Sequence, residues 1–205
     1  EIEAVTGVQT CALPIFGKWS RPNYNSVVAT FCHNIFHEIP IIINNPDSII
    51  DLVYVDDVVE SFINAMNVPT AGLHRLSINP QYQITVGALA EKIYKYKKSR
   101  ETLLSEKVGV GLSRALYSTY LSFASPESFS YPVKKYEDPR GTFVEMLKTK
   151  DSGQFSYFTA HPGITRGGHY HNTKTEKFLV IKGEACFRFR QIGRASCRER
   201  VWIKC

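Results

Sequence analysis

The hydrophobic pattern of the chain changes near Ser125-Pro126-Glu127, and this change constrains the fold more than any other feature of the sequence. Upstream, apolar residues recur at helical spacing in segments separated by short extended runs, which is typical of α/β organisation. Downstream, extended segments alternate apolar and polar residues and are broken by turns such as Asp138-Pro139-Arg140-Gly141 and Lys182-Gly183-Glu184. Such alternation indicates antiparallel sheet. We therefore predict two domains that meet near residues 124–130.

The same patterns predict the individual elements of both halves. Helices are expected over residues 25–36, 58–66, 86–96 and 112–123, with strands over residues 41–43, 52–55 and 73–78. Four further strands are expected over residues 142–147, 155–160, 177–181 and 185–190. Thr85 has the position and side chain of a helix N-cap, and Asp56 and Asp57 are predicted to occupy the cap and first turn of the second helix.

The segment from Gly163 to Gly183 combines residue types that bind metal ions. His169 and His171 are two positions apart, so on a strand both imidazoles project from one face. Glu176 follows a short polar turn and can reach the same point from the next strand. Two imidazoles and a carboxylate suit Zn²⁺ or another divalent first-row metal, with one coordination position left open. The alternative is that these residues are polar side chains on a solvated strand.

The spacing of this segment resembles the first motif of the cupin family: Gly, five residues, His-x-His, four residues, Glu, six residues, Gly. The resemblance implies a jelly-roll β domain. A second motif normally supplies a further histidine and is not found before Arg190, so we expect an incomplete cupin whose fourth metal ligand is missing from this chain. A cupin that uses histidine as a base and binds no metal remains an alternative.

Arg140 belongs to a second cupin-like feature. The segment Asp138-Pro-Arg140-Gly141-Thr-Phe143-Val-Glu145 resembles a stretch of the cupins that epimerise deoxysugar nucleotides. A guanidinium beside a turn suits bidentate binding of phosphate, so the resemblance implies that Arg140 binds substrate. The alternative is an ordinary arginine on a surface turn.

In the first half, Leu52-Val-Tyr54-Val55-Asp56-Asp57-Val58-Val59 resembles the strand-to-helix junction of extended short-chain dehydrogenases. Together with Phe16-Gly17 ahead of the first helix, it implies that residues 16–124 are the C-terminal, substrate-binding part of such a domain. Within this part, the resemblance implies that Arg21 and Asn23 bind substrate.

The dinucleotide-binding residues of that family are not found in the sequence. A dinucleotide fold needs a Gly-rich turn that lets the pyrophosphate approach a helix N-terminus, and neither G-x-x-G-x-x-G nor G-x-G-x-x-G occurs. The spacing Tyr-x-x-x-Lys occurs at Tyr94 and Lys98 and at Tyr131 and Lys135, but outside the family's order. We therefore expect the NADPH site to lie outside this chain and the fragment to be inactive alone.

Both flanks of the chain resemble translated sequencing adapters. Residues 192–201 read Ile-Gly-Arg-Ala-Ser-Cys-Arg-Glu-Arg-Val, and residues 5–15 read Val-Thr-Gly-Val-Gln-Thr-Cys-Ala-Leu-Pro-Ile. We therefore interpret residues 1–15 and 191–205 as adapter-derived and not native. The interpretation leaves residues 16–124 for the dehydrogenase part and residues 125–190 for the N-terminal part of the cupin.

Composition limits the partners and the compartment. The chain has 205 residues, 43% of them hydrophobic, and a net charge of +6. Its basic residues are scattered or crowd the C-terminal flank rather than forming a stripe, so we expect no nucleic-acid partner. No apolar run approaches the ~20 residues of a membrane span, so no membrane partner is expected. Cys32 and Cys186 are the cysteines between the flanks, and so few thiols suit a reducing cytoplasm.

The order of a dehydrogenase part and a cupin resembles one family in particular. Residues 16–19, 24–31, 115–121 and 176–180 are similar to the bifunctional enzymes of capsular polysaccharide synthesis that make a precursor of N-acetyl-L-fucosamine. The resemblance implies C3 epimerisation of a UDP-linked 4-keto-6-deoxy-N-acetylhexosamine in the cupin, NADPH reduction of its C4 ketone in the other domain, and a homodimer. The alternatives are an NAD-dependent nucleotide-sugar epimerase or dehydratase with a regulatory cupin, and a catalytically dead fragment.

Overall fold

The computed structural model describes residues 14–67, 77–189 and 199–204. Their contacts divide the chain into two compact units, of which one extends to Ile164 and the other begins at Thr165. The predicted junction near residues 124–130 therefore lies within the first unit, and the predicted division into domains stays a prediction.

The first unit alternates strands and helices before it turns to antiparallel sheet. Its α/β portion consists of β1 (Ile15–Phe16), α1 (Val27–Phe36), β2 (Ile49–Tyr54), α2 (Val55–Met66), β3 (Tyr82–Thr85), α3 (Val86–Thr102) and α4 (Gly111–Leu121). A 3₁₀ turn (Pro126–Phe129) leads to β4 (Lys135–Asp138), β5 (Gly141–Lys148) and β6 (Gln154–Phe158). The second unit contains β7 (Glu184–Phe189) and β8 (Glu199–Lys204). Within the described ranges, no helix has the length and apolar character needed to cross a bilayer.

The first sheet has the strand order β1-β2-β3. β1 pairs in parallel with β2, with Ile15 opposite Val53, whereas β3 is antiparallel to β2. Because β1 and β2 run in the same direction, their carboxyl ends lie at the same edge of the sheet. The loop that follows β1 and the first turn of α2, which follows β2, therefore start from one edge, where open α/β sheets bind their ligands.

The core of the first unit lies between this sheet and the helices α1, α3 and α4. On α1, Val28, Phe31, Cys32 and Ile35 are buried, and their spacing is that of one helix face. The other large apolar side chains that are fully buried come from the sheet, α3 and α4. They are Phe16, Leu52, Val53, Leu89, Ile93 and Leu116. The helical periodicity of the first half is therefore the periodicity of a buried face.

Two helices begin where the sequence places a capping hydroxyl. Ser26 Oγ accepts a hydrogen bond from the Ala29 N–H at 3.2 Å, and Thr85 Oγ1 accepts one from the Ala88 N–H at 3.2 Å. Thr85 was expected as a cap, and this is confirmed. Each hydroxyl satisfies a backbone donor that the first turn of a helix leaves without an internal partner.

Substitution Thr85→Ala should lower the free energy of unfolding by about 1 kcal/mol, because the Ala88 N–H loses its acceptor. The matched variant Thr85→Ser keeps the hydroxyl and is expected to stay within a few tenths of a kcal/mol of the wild type, roughly the spread among good N-cap residues. Urea unfolding followed by circular dichroism measures both. Equal destabilisation by alanine and serine would show that the cap contributes nothing.

Several predicted elements differ from the structure. The acidic pair Asp56 and Asp57 lies inside the first turn of α2, because the helix already begins at Val55. Residues 41–43 and 177–181 are not in strands, since neither segment has a paired neighbour among the described residues. The strand expected over residues 73–78 lies mostly outside the described residues.

The antiparallel sheet has the strand order β4-β5-β6. The alternating pattern predicted β5 and β6 as strands, whereas β4 was not among the predicted strands. Tyr136, Phe143 and Phe158 are opposite one another across its three strands. Gly141 closes the β4–β5 turn at φ 134°, and a Cβ there would lie 2.5 Å from the Thr159 carbonyl oxygen, so only glycine fits without a shift of the backbone.

Backbone hydrogen bonds and ion pairs, called the seam below, join the α3–α4 connection to the end of β5 and the residues after it within the first unit. The Lys148 N–H donates to the Leu103 carbonyl at 2.9 Å, and the Ser105 N–H donates to the Lys148 carbonyl at 2.8 Å. Two ion pairs continue the seam, Lys150 with Glu106 at 3.0 Å and Lys107 with Asp151 at 2.8 Å. These contacts explain why the first unit contains both helices and antiparallel strands.

Candidate functional site

Three predicted metal ligands lie together in the second unit. One ligand atom from each of His169, His171 and Glu176 lies within 4.8 Å of the others. The two imidazole rings are 4.7 Å apart between centroids, and His171 Nε2 is 3.2 Å from Glu176 Oε1. The donor set of two nitrogens and one carboxylate oxygen matches the preference of a divalent first-row cation. These residues therefore fit a metal ion.

The backbone around the histidines is irregular, although a strand was expected there. Gly167 and Gly168, directly before His169, have φ values of 108° and 78°. Such values break an extended strand and are readily adopted only by glycine. The histidines therefore lie close together outside any regular strand, and both are exposed to solvent.

Lys174 is a neighbour of the site that sequence reasoning missed. Its Nζ lies 2.9 Å from Glu176 Oε1, the same oxygen that His171 approaches. The hydrogen bond from Lys174 is the main reason why the pKa of the Glu176 carboxyl lies below its usual value, and desolvation opposes it. Glu176 is therefore held ionised, which a metal ligand requires, but one of its oxygens is already paired with a cation.

Replacing Lys174 with methionine should raise the pKa of Glu176 and strengthen Zn²⁺ binding, because Lys174 competes for Glu176 Oε1 and repels an incoming cation. An exposed ion pair is worth up to about 1 kcal/mol, so the expected gain in affinity is about two- to fivefold. Calorimetric titration with Zn²⁺ measures it, and Lys182→Met, which removes a lysine from the turn after the site, is the control. Weaker binding by Lys174→Met would assign Lys174 a supporting role instead.

An apolar cavity of about 240 Å³ lies beside Glu176. Aromatic rings form much of its wall, and Phe178 and Phe187 are 4.9 Å apart between centroids. The remaining lining residues are Phe189, Val201 and Ile203. Glu176 is itself exposed to solvent, so the pocket borders the candidate site without enclosing it.

Val201 and Ile203 lie on β8, inside the segment interpreted as adapter-derived. β8 pairs with β7 in the second unit. At the other flank, Ile15 pairs with Val53 in the first sheet. The adapter interpretation of both flanks stays a prediction.

Two of the predicted substrate-binding residues lie on the loop of residues 17–26, which follows β1. Arg21 is exposed, and its guanidinium carbon is 5.4 Å from the Tyr24 ring centroid. Asn23 is also exposed, and its backbone N–H donates to Thr30 Oγ1 at 2.9 Å. Both residues therefore lie at the carboxyl edge of the parallel pair β1 and β2.

Arg140, the third predicted substrate-binding residue, lies on the β4–β5 turn and not on that loop. Its Nη2 and Nε lie 2.6 and 2.9 Å from Asp138 Oδ2, and its backbone N–H donates to Asp138 Oδ1 at 2.8 Å. A phosphate would have to compete with Asp138 for this guanidinium. Arg21 and Asn23 thus share one loop, whereas Arg140 lies in a different element.

The two aspartates of the junction have different surroundings. Asp56 Oδ2 accepts from Lys18 Nζ at 2.9 Å, which ties the first turn of α2 to the loop after β1 and raises the pKa of Lys18. Asp57 Oδ2 is shielded from solvent and has no hydrogen-bond partner among the described residues. Desolvation, followed by the charges of Glu60 and Asp56, raises the pKa of Asp57. The Lys18–Asp56 pair could not be found from the sequence, because 38 positions separate the two residues.

Comparisons with known proteins relate the chain to polysaccharide biosynthesis. Residues 136–201 match the family model described as Polysaccharide biosynthesis C-terminal domain. Over 178 residues, 87% of its length, the chain is 65% identical to UDP-2-acetamido-2,6-beta-L-arabino-hexul-4-ose reductase of Pseudomonas aeruginosa. The aligned part is 48% of that protein, so the chain spans about half the length of the curated relative that it matches.

The chain is also similar to solved structures of a capsular polysaccharide protein. The capsular polysaccharide assembling protein CapF from Staphylococcus aureus is 39% identical with a TM-score of 0.83, over 93% of this chain and 55% of that chain. A structure of CapF with the inhibitor 3-isopropenyl-tropolone superposes with a TM-score of 0.84 over the same shares of both chains. These likenesses support the predicted cupin-type β domain, whereas the short-chain dehydrogenase assignment of residues 16–124 stays a prediction. Over most of its length, the chain is therefore similar to about half of a UDP-sugar reductase and of a capsular polysaccharide assembling protein.

Proposed function

We propose that this chain is part of a bifunctional nucleotide-sugar enzyme of capsule or O-antigen polysaccharide synthesis. Its cupin part epimerises a UDP-linked 4-keto-6-deoxy-N-acetylhexosamine at C3, and residues 16–124 belong to the domain that reduces the C4 ketone with NADPH. The observation that carries the proposal is the convergence of His169, His171 and Glu176 in a chain 65% identical to a UDP-sugar reductase.

His169, His171 and Glu176 would hold Zn²⁺ or another divalent metal, with a further ligand supplied from outside this chain. When bound, such a metal polarises a carbonyl oxygen as a Lewis acid. Glu176 contributes a carboxylate that is already ionised, since Lys174 lowers its pKa.

Epimerisation at C3 needs only the removal and return of a proton. The C4 ketone acidifies the neighbouring C3–H, so a base can take the C3 proton and leave the electron pair delocalised onto the ketone oxygen. Return of a proton to the opposite face of C3 inverts the centre, with no net oxidation or reduction. Arg21, Asn23 and Arg140 are the residues proposed to bind the substrate.

A cupin without metal, in which a histidine is the base, is the second candidate mechanism. The observation that favours it is the pairing of Glu176 Oε1 with Lys174, which satisfies the carboxylate without a metal ion. A chelator separates the two mechanisms. Loss of exchange on treatment with a chelator, restored by Zn²⁺, supports the metal site, whereas exchange that survives supports the histidine base.

Solvent deuterium exchange at C3 tests the proposed epimerisation. A full-length chimera, in which residues 16–190 replace the matching segment of the Pseudomonas aeruginosa relative, is incubated in D₂O with the UDP-linked 4-keto sugar and followed by NMR. Deuterium should enter C3 in the wild-type chimera and not in His169→Ala, while reduction of a pre-epimerised substrate continues in both. Exchange at the wild-type rate in His169→Ala would refute the assignment of epimerisation to this site.

The 205-residue chain itself is proposed to be inactive as a reductase. We also propose a cytoplasmic, homodimeric parent enzyme whose ligand is the UDP-linked deoxysugar rather than a nucleic acid or a membrane. A regulatory cupin that binds a nucleotide sugar without turnover, next to an NAD-dependent epimerase or dehydratase, is the alternative. Binding of the sugar without any C3 exchange in the chimera would favour that alternative, and no binding at all would favour a catalytically dead fragment.

A further inference from the structure

Two histidines lie one helical turn apart at the C-terminal end of α1. His33 is in the last turn of the helix, and His37 is its C-cap residue. Residues four positions apart on a helix are neighbours on one face. The two imidazole rings are 4.6 Å apart between centroids and are tilted by 52°, so they are not stacked. This spacing is close to the 4.7 Å between the rings of His169 and His171.

Asn34 determines where the His33 ring carries its proton. His33 Nδ1 lies 2.9 Å from Asn34 Oδ1, and Asn34 is buried, with 8% of its surface exposed. An amide oxygen can only accept a hydrogen bond, so Nδ1 donates and the neutral ring keeps its lone pair on Nε2. Histidines that bind metal ions usually donate their other ring N–H in this way, which fixes the tautomer and orients the ring. His33 is therefore prepared to coordinate an ion through Nε2.

Aromatic neighbours hold the two rings at the end of the helix. The His33 ring lies edge-on to Phe123, which follows α4, at 5.7 Å between centroids. The His37 ring lies 5.3 Å from that of Phe36. His33 is half-buried, whereas His37 is exposed. One imidazole is therefore fixed by packing, while the other is open to an ion that arrives from solvent.

The end of α1 is also electrostatically suited to a cation. The last carbonyl groups of a helix carry a partial negative charge, which favours positive charge near the last turn. Glu38 directly follows His37, and its carboxylate pairs with Lys97 at 2.9 Å. In the part of the chain that the structure describes, no third histidine, thiol or carboxylate completes a cluster with this pair. Water would complete the coordination, so we expect weaker binding than at the three-residue cluster of the second unit.

We propose that His33 and His37 form a second metal site, which binds Zn²⁺ or another divalent first-row transition metal ion through one nitrogen of each ring. Two histidines at i and i+4 on a helix are a known arrangement for binding zinc. Imidazole suits such ions, whereas Mg²⁺ prefers oxygen ligands. The ion would link the end of α1 to the segment after α4, because the His33 ring packs against Phe123.

Zn²⁺ titration of a chain that lacks the other histidine cluster tests the proposal. In the 205-residue variant with His169→Ala and His171→Ala, and with its accessible thiols alkylated, calorimetry should still show one equivalent of bound Zn²⁺. NMR of the imidazole nitrogens should show the His33 proton on Nδ1 before Zn²⁺ is added. One nitrogen signal of His33 and one of His37 should then shift with Zn²⁺, and neither should shift with Mg²⁺.

Substitutions within this background identify the ligands. His33→Gln and His37→Gln should each weaken Zn²⁺ binding by about tenfold or more, since even the loss of a group that orients a metal ligand costs about 10–100-fold. Asn34→Asp keeps the acceptor for Nδ1–H and adds a negative charge, so it should strengthen binding. His161→Ala, which removes a histidine from the turn after β6, is the control and should leave the affinity unchanged.

Zn²⁺ affinity that is unchanged in both His33→Gln and His37→Gln would overturn the proposal. An equal loss in His161→Ala would also overturn it, because Zn²⁺ would then bind exposed histidines in general. Neither result bears on the proposed epimerisation, which depends on the residues of the second unit. Zn²⁺ measurements on that cluster are made in a His37→Gln background, so that each site is measured without the other.

Discussion

Substitution His169→Ala in the 205-residue chain should weaken Zn²⁺ binding by at least about 100-fold. Loss of groups that merely orient metal ligands already costs about 10–100-fold in affinity, and His169 is proposed as a ligand itself. Two donor atoms are left, His171 nitrogen and Glu176 oxygen, and Lys174 competes for the second. Competition with a chromophoric chelator measures the affinity.

The control for this experiment is another exposed histidine outside the cluster. His161 lies on the turn that follows β6, and His161→Ala should bind Zn²⁺ with wild-type affinity. Equal loss of affinity in both variants would mean that Zn²⁺ binds to surface histidines in general. Unchanged affinity in His169→Ala would remove this residue from the ligand set.

Substitution Leu116→Ala should have the largest effect on stability, a loss of about 2–5 kcal/mol in the free energy of unfolding. Leu116 is fully buried on α4, within the core that α1, α3 and the sheet share. Removal of its side chain deletes apolar contact and leaves a cavity that a closely packed interior fills only in part. Urea unfolding of the first unit, followed by far-ultraviolet circular dichroism, measures the loss.

Ile42 is the matched control, because it is aliphatic, in the same unit and 85% exposed. Ile42→Ala should change the free energy of unfolding by no more than about 0.5 kcal/mol. A loss of less than about 1 kcal/mol for Leu116→Ala would contradict the packed core, because even modest core truncations cost about that much.

The sequence predicts local structure well where the residues that form the pattern also make the local contacts, as on a buried helix face or at a helix cap. The apolar spacing of α1 predicts a helix because the same residues form its buried face, and Thr85 predicts the start of α3 because its hydroxyl satisfies the first turn. The alternation after Pro126 also predicts β5 and β6, although neither strand is buried at every second position and most of β6 is exposed.

Elements that depend on distant partners were not predictable in this way. Residues 177–181 have the composition of a strand, but a strand needs a paired neighbour, and the described structure gives this segment none. The seam between Leu103 and Lys148 joins positions far apart in the chain, so no local pattern marks it. The same holds for the ion pair of Lys18 with Asp56.

The proximity of the three candidate metal ligands could be predicted from the sequence, but their surroundings could not. Side-chain chemistry and spacing select His169, His171 and Glu176, and the structure brings them together. Irregular backbone with positive φ at Gly167 and Gly168 replaces the expected strand, because glycine allows backbone angles that a pattern of side chains does not record.

X-ray absorption at the zinc edge of the Zn²⁺-loaded chain tests most directly whether these side chains form a metal centre. We expect nitrogen and oxygen ligands at ~2.0–2.1 Å, with the outer-shell scattering of two imidazoles that falls to one in His169→Ala. A spectrum without imidazole scattering, or one that is the same in the wild type and in His169→Ala, would contradict it.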